Sequence, residues 1–258
     1  MKNSENKNHI LLSVRHLNKS FRSGDAEQII INDLDLDIRQ GDFTVIMGSS
    51  GAGKSTLLYA LSGMDKPTSG TITFCGEDIT SYSADKLAVF RRKHCGFVFQ
   101  QIYLLDKMSL MDNALTAGLL VGGKKKETVR RAAALFEKVN LPEVTWRKFP
   151  SQISGGEAQR AGIVRAVINR PEVLFADEPT GALNSHNSDA VLDVFTELSR
   201  DGQSIIMVTH DKKSALRGNR VIYLRDGRIF GECDLGEYTP DNAARTEKLN
   251  AFLTEMNW

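Results

Sequence analysis

Residues 43–56 read FTVIMGSSGAGKST, and the fold turns on this stretch. Phe43 to Met47 form a continuous apolar run of five residues, the pattern of a strand buried on both faces in a parallel sheet. Gly48 to Ser55, GSSGAGKS, then fit G-x-x-x-x-G-K-[ST], and the following LLYALSG reads as an apolar helix with Gly63 placed to end it. Successive backbone N–H groups in such a loop form an anion-binding concavity, and the helix behind aims the positive end of its dipole at the same place. Gly48, Ser49, Ser50, Gly51, Ala52, Gly53, Lys54, Ser55 and Thr56 are therefore candidate nucleotide-binding residues. Lys54 has the reach for β- and γ-phosphates, and the Ser55 hydroxyl can ligate Mg²⁺.

A second apolar run, VLFADE at 173–178, ends in two carboxylates. Ligands of open α/β sheets bind outside the carboxyl ends of the strands, so Asp177 is placed for the metal side of a Mg-nucleotide. Glu178, next in line, can polarise an attacking water as general base. A third run, SIIMVT at 204–209, follows a helical stretch over about 187–199. Strands alternating with helices give an α/β chain with a parallel sheet.

Outside this core the pattern changes. ILLSVRHL (10–17) reads as a strand, RSGDAEQ (22–28) as a turn, and Leu34, Leu36 and Ile38 alternating with Asp33, Asp35 and Asp37 as a half-buried antiparallel strand. TITFCGEDI (71–79) reads as one more alternating strand, and 83–93 as a helix. From about 101 to 151 the pattern is helix-rich. Within it, residues 127–141 set Val129, Ala133, Leu135 or Phe136, and Val139 on one face, while Lys124, Lys125 and Lys126 read as a solvated turn. VIYLRDGRIF (221–230) carries Asp226-Gly227, a strong hairpin turn. In the tail, Leu249, Phe252, Leu253 and Met256 stand at i, i+3, i+4 and i+7, an amphipathic helix expected to cover the core, with partner binding as the alternative.

Composition narrows the function classes. The 258 residues carry 33 Lys and Arg against 32 Asp and Glu, a net charge of +1, which argues against a dedicated nucleic-acid binder. The uncharged, partly apolar window Ala114 to Gly123 is far short of the roughly 20 apolar residues of a membrane span. Residues 1 to 9 are polar and expected to fray, and no secretory signal is read there. The chain is expected to be cytosolic and unable to form a pore by itself. Cys75, Cys95 and Cys233 are widely spaced and suggest neither a disulfide framework nor a zinc site.

Many nucleotide-binding proteins share the first two elements; ISGGEAQR at 153–160 separates them. Ser154 can cap a helix with Glu157 three residues on, and Ser-Gly-Gly at a helix start is also an anion-binding arrangement. Here the chain resembles the ATP-binding cassette (ABC) ATPases, with Walker A, an LSGGQ-type signature and Walker B in the family's order. Gln100, closing GFVFQ 46 residues after Lys54, matches the Q-loop, and His210, 33 residues after Asp177, matches the switch histidine. Phe21, in NKSFRSG, matches the adenine-stacking position, a core aromatic being the alternative.

The resemblance covers about residues 10–232. It implies a P-loop NTPase core with a RecA-like parallel sheet, an N-terminal antiparallel β-subdomain and an inserted helical subdomain. Residues 10–100 and 165–232 would form the core with its β-subdomain, about 101–164 the helical subdomain, and 233–258 a C-terminal extension. It implies ATP and Mg²⁺ as cofactors and two copies paired head to tail. Each ATP would lie between one chain's Walker A and the other's Ser154, Gly155, Gly156 and Glu157. Lys54, Gln100, Glu178 and His210 would be catalytic, and Ser55, Gln100 and Asp177 would face the metal.

One position departs from the family pattern: the D-loop usually carries Asp where this chain has Asn184, which keeps hydrogen bonding but loses charge. GEDITSYS (76–83), residues 90–114 and LFADEPTGALNS (174–185) look like the lipoprotein-release and macrolide-exporter group, in particular its bacitracin-type peptide-resistance and export cassettes. That likeness implies a separate integral membrane permease as partner, no nucleic acid, and a place on the cytoplasmic face of the membrane. A regulatory ATPase signalling through a membrane protein is the alternative. A soluble ABC ATPase acting on DNA or ribosomes is a weaker one, since only one phosphate loop and no long heptad run is present.

Overall fold

A computed structural model describes residues 9–24 and 26–258, so the reading of residues 1–8 as frayed lies outside them. In chain order the elements begin with β1 (Ile10–Ser23), β2 (Ala26–Arg39), β3 (Phe43–Met47), α1 (Lys54–Leu61), β4 (Ser69–Phe74), β5 (Glu77–Asp78) and α2 (Ala84–His94). They continue with β6 (Cys95–Phe99), α3 (Leu110–Leu119), α4 (Lys125–Lys138), α5 (Glu143–Trp146), a 3₁₀ turn at Pro150–Gln152, α6 (Gly155–Val167) and β7 (Val173–Asp177). The last are α7 (Ser185–Arg200), β8 (Ser204–Val208), α8 (Lys212–Ala215), β9 (Arg220–Arg225), β10 (Arg228–Asp234) and α9 (Ala243–Glu255). By contacts the chain divides into Met1–Ala88 with Ser199–Trp258, and Val89–Leu198. The divisions fall inside α2 and α7.

The first unit holds an antiparallel sheet ordered β2-β1-β4-β5 and a second run ordered β10-β9-β3-β8. In that run β3 pairs in parallel with β8 and with β9, while β10 returns antiparallel along β9. All five residues of β3 are buried, as the continuous apolar run requires. In β2 the expected alternation holds: Leu34, Leu36 and Ile38 are buried and Asp33 and Asp35 exposed. Two expectations change. The turn read over 22–28 is shorter, because Arg22 pairs with Glu27 and Ser23 with Ala26; the exposed Arg22 and Glu27 side chains do not stop the ladder, and the Ser20 hydroxyl donates to Glu27 Oε1 at 2.6 Å. The single strand read over 71–79 is a hairpin. Cys75 and Gly76 take φ of 50° and 84°, both left-handed, and fold β5 back on β4.

The amphipathic tail is helix α9, with Leu249 and Leu253 each 1% exposed. It lies on β10: a Cβ at Gly231 would come within 2.7 Å of Met256 Sδ. Arg245, 5% exposed, fastens the helix. Its guanidinium donates to the carbonyls of Leu216, Leu235, Gly236, Glu237 and Gly218, and burial pulls its pKa down from the ordinary arginine value.

In the second unit β6 and β7 pair in parallel, Cys95 opposite Val173 and Phe99 opposite Asp177. α6 buries Ala158, Gln159, Ala161, Ile163 and Val164 among others. The buried face of α4 is Thr128, Ala132 and Phe136, followed by Val139, rather than the face starting at Val129. The hydropathy pattern overlooks Thr128, whose hydroxyl is satisfied by Lys124 O at 3.2 Å while its methyl lies against Gly118.

Candidate functional site

The phosphate loop leaves β3 through Gly48, whose φ is 155° and where a Cβ would stand 2.2 Å from Leu224 O; no other residue fits. It enters α1 through Gly53 in the left-handed region, φ 97°, so α1 begins with no side chain capping it. Its leading N–H groups are thus presented to the loop, the arrangement that binds an anion. Ser49, Ser50 and Gly51 are exposed, while Gly48 and Ala52 are buried. Lys54 Nζ donates to Gly48 O and Ser49 O, both at 2.9 Å, and so lies folded across the loop. Ser55 and Thr56 open α1, half-buried. The β9–β10 turn braces the loop: Gly227 N–H donates to Ala52 O at 3.3 Å, and Asn32 N–H donates to Gly227 O at 3.0 Å.

His210 belongs to the same strand ends. Ile46 of β3 is opposite Val208 of β8, and Thr209 N–H donates to Ile46 O at 3.2 Å. Gly48 and His210 each stand two residues beyond that pair, so both leave neighbouring parallel strands at one level. Asp211 then caps α8 through Ser214 N–H at 2.7 Å. Phe21, on β1, is 48% exposed, with Lys19 Nζ 4.7 Å from its ring centroid. That exposure disposes of the core-aromatic alternative.

In the second unit, Asp177 ends β7 and Glu178 follows with φ 46°, left-handed for a residue with a Cβ. Such a conformation costs on the order of 1–3 kcal/mol and persists only where the surroundings impose it. The Phe99–Asp177 pairing brings Gln100 and Glu178 off adjacent strands at one level. The Gln100 amide lies over Gly181, where a Cβ would come 3.0 Å from Nε2. The capping box read from the sequence is present. Ser154 Oγ accepts from Glu157 N–H at 3.3 Å, and Glu157 Oε2 accepts from both Ser154 N–H and Ser154 Oγ–H at 2.8 Å. These bonds, the one from the Ser154 backbone first, hold the Glu157 pKa below the ordinary carboxylate range. Gly155 is exposed; Gly156 is buried under Asn187, whose Oδ1 would be 2.7 Å from a Cβ there.

Asn184 caps α7, its Oδ1 accepting from Asn187 N–H at 3.0 Å, so hydrogen bonding at this position survives the missing charge. Two residues the motif reading passed over stand out on α6. Gln159, 1% exposed, donates from Nε2 to Phe99 O at 3.0 Å and Pro179 O at 2.8 Å. Arg165 donates to Ile102 O at 2.8 Å and to Tyr103 O, and burial lowers its pKa. Their only signal in sequence is a polar or charged residue on an otherwise apolar helix face.

Ser55, Asp177 and Gln100 are hard oxygen donors, the chemistry that suits Mg²⁺ rather than a softer metal. Among the described residues no group of three His, Cys, Asp or Glu side chains is arranged to hold a metal ion. Taken one by one, these donors have the chemistry that a hard divalent cation such as Mg²⁺ takes.

A Gly-rich loop opening a helix after a buried parallel strand, with an acidic strand end in the same chain, defines the class of P-loop nucleotide-binding proteins. Residues 31–181 match the family described as ABC transporter, and the chain belongs to that family. It is 40% identical over 231 residues to the uncharacterized ABC transporter ATP-binding protein YknY of Bacillus subtilis, covering 88% of this chain and 100% of that one. It is 41% identical over 222 residues to the macrolide export ATP-binding/permease protein MacB of Bradyrhizobium diazoefficiens. That match covers 86% of this chain but 34% of MacB, so the chain spans about a third of that relative's length. The solved dimeric structure of the ATP-binding cassette MJ0796 in a post-hydrolysis state, bound to ADP and Pi, superposes with a TM-score of 0.81 at 32% identity, covering 88% of this chain and 100% of that one. The fold is therefore the α/β ABC ATPase fold, and the likeness to the macrolide-exporter group stands.

Proposed function

We propose that this chain binds and hydrolyses ATP to power a separate integral membrane permease, for export of, or resistance to, peptides or amphiphilic compounds. The phosphate loop of Gly48–Thr56, braced by Gly227 and followed by an uncapped α1, is the observation that carries the reading. Lys54 and the loop amides take the phosphates, Phe21 stacks on the adenine, and Glu178 draws the proton from the attacking water. Gln100 orients that water and His210 holds the γ-phosphate. Ser55, Asp177 and Gln100 would hold Mg²⁺, which would supply positive charge to neutralise the phosphates. Two chains pair head to tail, so that Ser154, Gly155, Gly156 and Glu157 of one meet the nucleotide of the other. Residues 10–232 make the ATPase domain and 233–258 its extension.

The permease partnership has support on the surface. Tyr103, Leu105 and Met108 are 63%, 48% and 38% exposed in the segment after Gln100, an apolar stretch suited to contact with another protein. No helix among the described residues is long and apolar enough to cross a membrane, so attachment at the cytoplasmic face would run through that partner.

Lys54→Ala tests the nucleotide reading. With the phosphate charge gone, affinity for Mg-ATP should fall at least about tenfold, on the order of 1.4 kcal/mol. Unchanged affinity by calorimetry would remove Lys54 from the site. Purification of the tagged chain from native membranes should bring a permease with it; its absence would favour a role away from transport.

A further inference from the structure

We propose that Gln159 is a positioning residue for hydrolysis, fixing from α6 the two backbone segments that carry Gln100 and Glu178. Its side chain is 1% exposed, and its Nε2 reaches Phe99 O at 3.0 Å and Pro179 O at 2.8 Å. Phe99 directly precedes Gln100, and Pro179 directly follows Glu178. The strand ladder between β6 and β7 stops at the Phe99–Asp177 pair, so the residues beyond it need another tie. One amide nitrogen carries two protons, and here each goes to one of the two segments.

Arg165, six residues further along α6, extends the grip to Ile102 O and Tyr103 O. Between them Gly162 lets Ile102 approach, since a Cβ there would stand 3.1 Å from Ile102 Cγ2. Residues 99–103 are thus held against the helix that Ser154 caps. A residue serving only to fill space would be Leu or Met at this depth; the amide is required by the two carbonyls. A carboxylate of the same shape would set oxygen against oxygen.

The inference rests on the ATPase reading, and the experiment separates the two. Gln159→Leu, Gln159→Glu and Ile163→Ala are made in the full chain. Ile163, 0% exposed on the same helix, is the control for lost stability without lost hydrogen bonds. Mg-ATP affinity, kcat, thermal stability and amide exchange over residues 100–103 and 178–183 are measured. Both Gln159 variants should lose kcat by about tenfold or more while affinity stays within about twofold, because binding resides in the phosphate loop. Their exchange over the two segments should accelerate without nucleotide, and Ile163→Ala should keep kcat within about twofold despite its lower stability. A parent-like kcat in Gln159→Leu overturns the inference. So does a loss that Ile163→Ala reproduces at equal loss of stability. Should the parent chain itself fail to hydrolyse ATP, the ATPase reading fails, and the exchange measurement alone decides whether Gln159 pins the segments.

Discussion

Glu178 combines a carboxylate at a strand end with a left-handed backbone, φ 46°. The carboxylate was legible because Asp-Glu closes an apolar run; the backbone was not, since nothing in VLFADEP announces a positive φ. Gly181 N–H donates to Glu178 O at 3.0 Å, closing the turn that holds it. Glu178→Gln keeps the shape and removes the carboxylate proposed as general base. Mg-ATP binding should persist while turnover falls by about a hundredfold or more, the usual size of a lost general base. Phosphate release at the parent rate would assign the proton transfer elsewhere. Gln159 and Arg165 illustrate the opposite case at this scale. Their partners are backbone carbonyls 20 to 63 positions away, and such pairings come only with the folded chain.

The elements were mostly legible, and their errors have physical causes. Period-two alternation in β2, the continuous run of β3 and the Asp226-Gly227 turn each describe a local constraint, so each appears in the structure as read. The hairpin at Cys75-Gly76 was missed because cysteine is an unusual residue at φ 50°. The α4 face was missed because threonine counts as polar in a pattern yet buries well once its hydroxyl is bonded. The α6 cap leads to a measurement. Since Glu157 is held below its ordinary range in the folded chain, its contribution is fully present above the unfolded carboxylate's pKa, and it is lost as pH falls through the depressed value. Between about pH 6 and pH 3, unfolding free energy should fall more steeply in the parent than in Glu157→Gln. Parallel pH profiles would show that the cap carries no linkage.

For the whole molecule, one phosphate loop and one signature accompany a charge balance of +1. In the proposed head-to-tail pair a single chain would make half of each of two sites, and assembly would depend on ATP. Glu178→Gln with Mg-ATP should therefore shift from monomer to dimer in light scattering, and Ser154→Arg, a cation at the exposed α6 cap, should prevent the shift. A monomer under saturating ATP would contradict the paired arrangement. The family was readable from the order of motifs. The contact division at Ala88/Val89 and Leu198/Ser199 was not, since it runs through two continuous helices that give no break in composition.

The turn that props the phosphate loop offers something of practical use. Gly227 donates its N–H to Ala52 O and accepts from Asn32, and a Cβ there would meet Ile30 O at 2.2 Å. The residue is irreplaceable and in direct hydrogen-bonded contact with the loop, yet it is outside the GSSGAGKST motif that would touch a nucleotide. In a chain labelled with ¹⁵N-glycine, its amide resonance becomes a built-in gauge of loop occupancy. It could follow nucleotide binding in solution without a dye, a tag or an altered side chain.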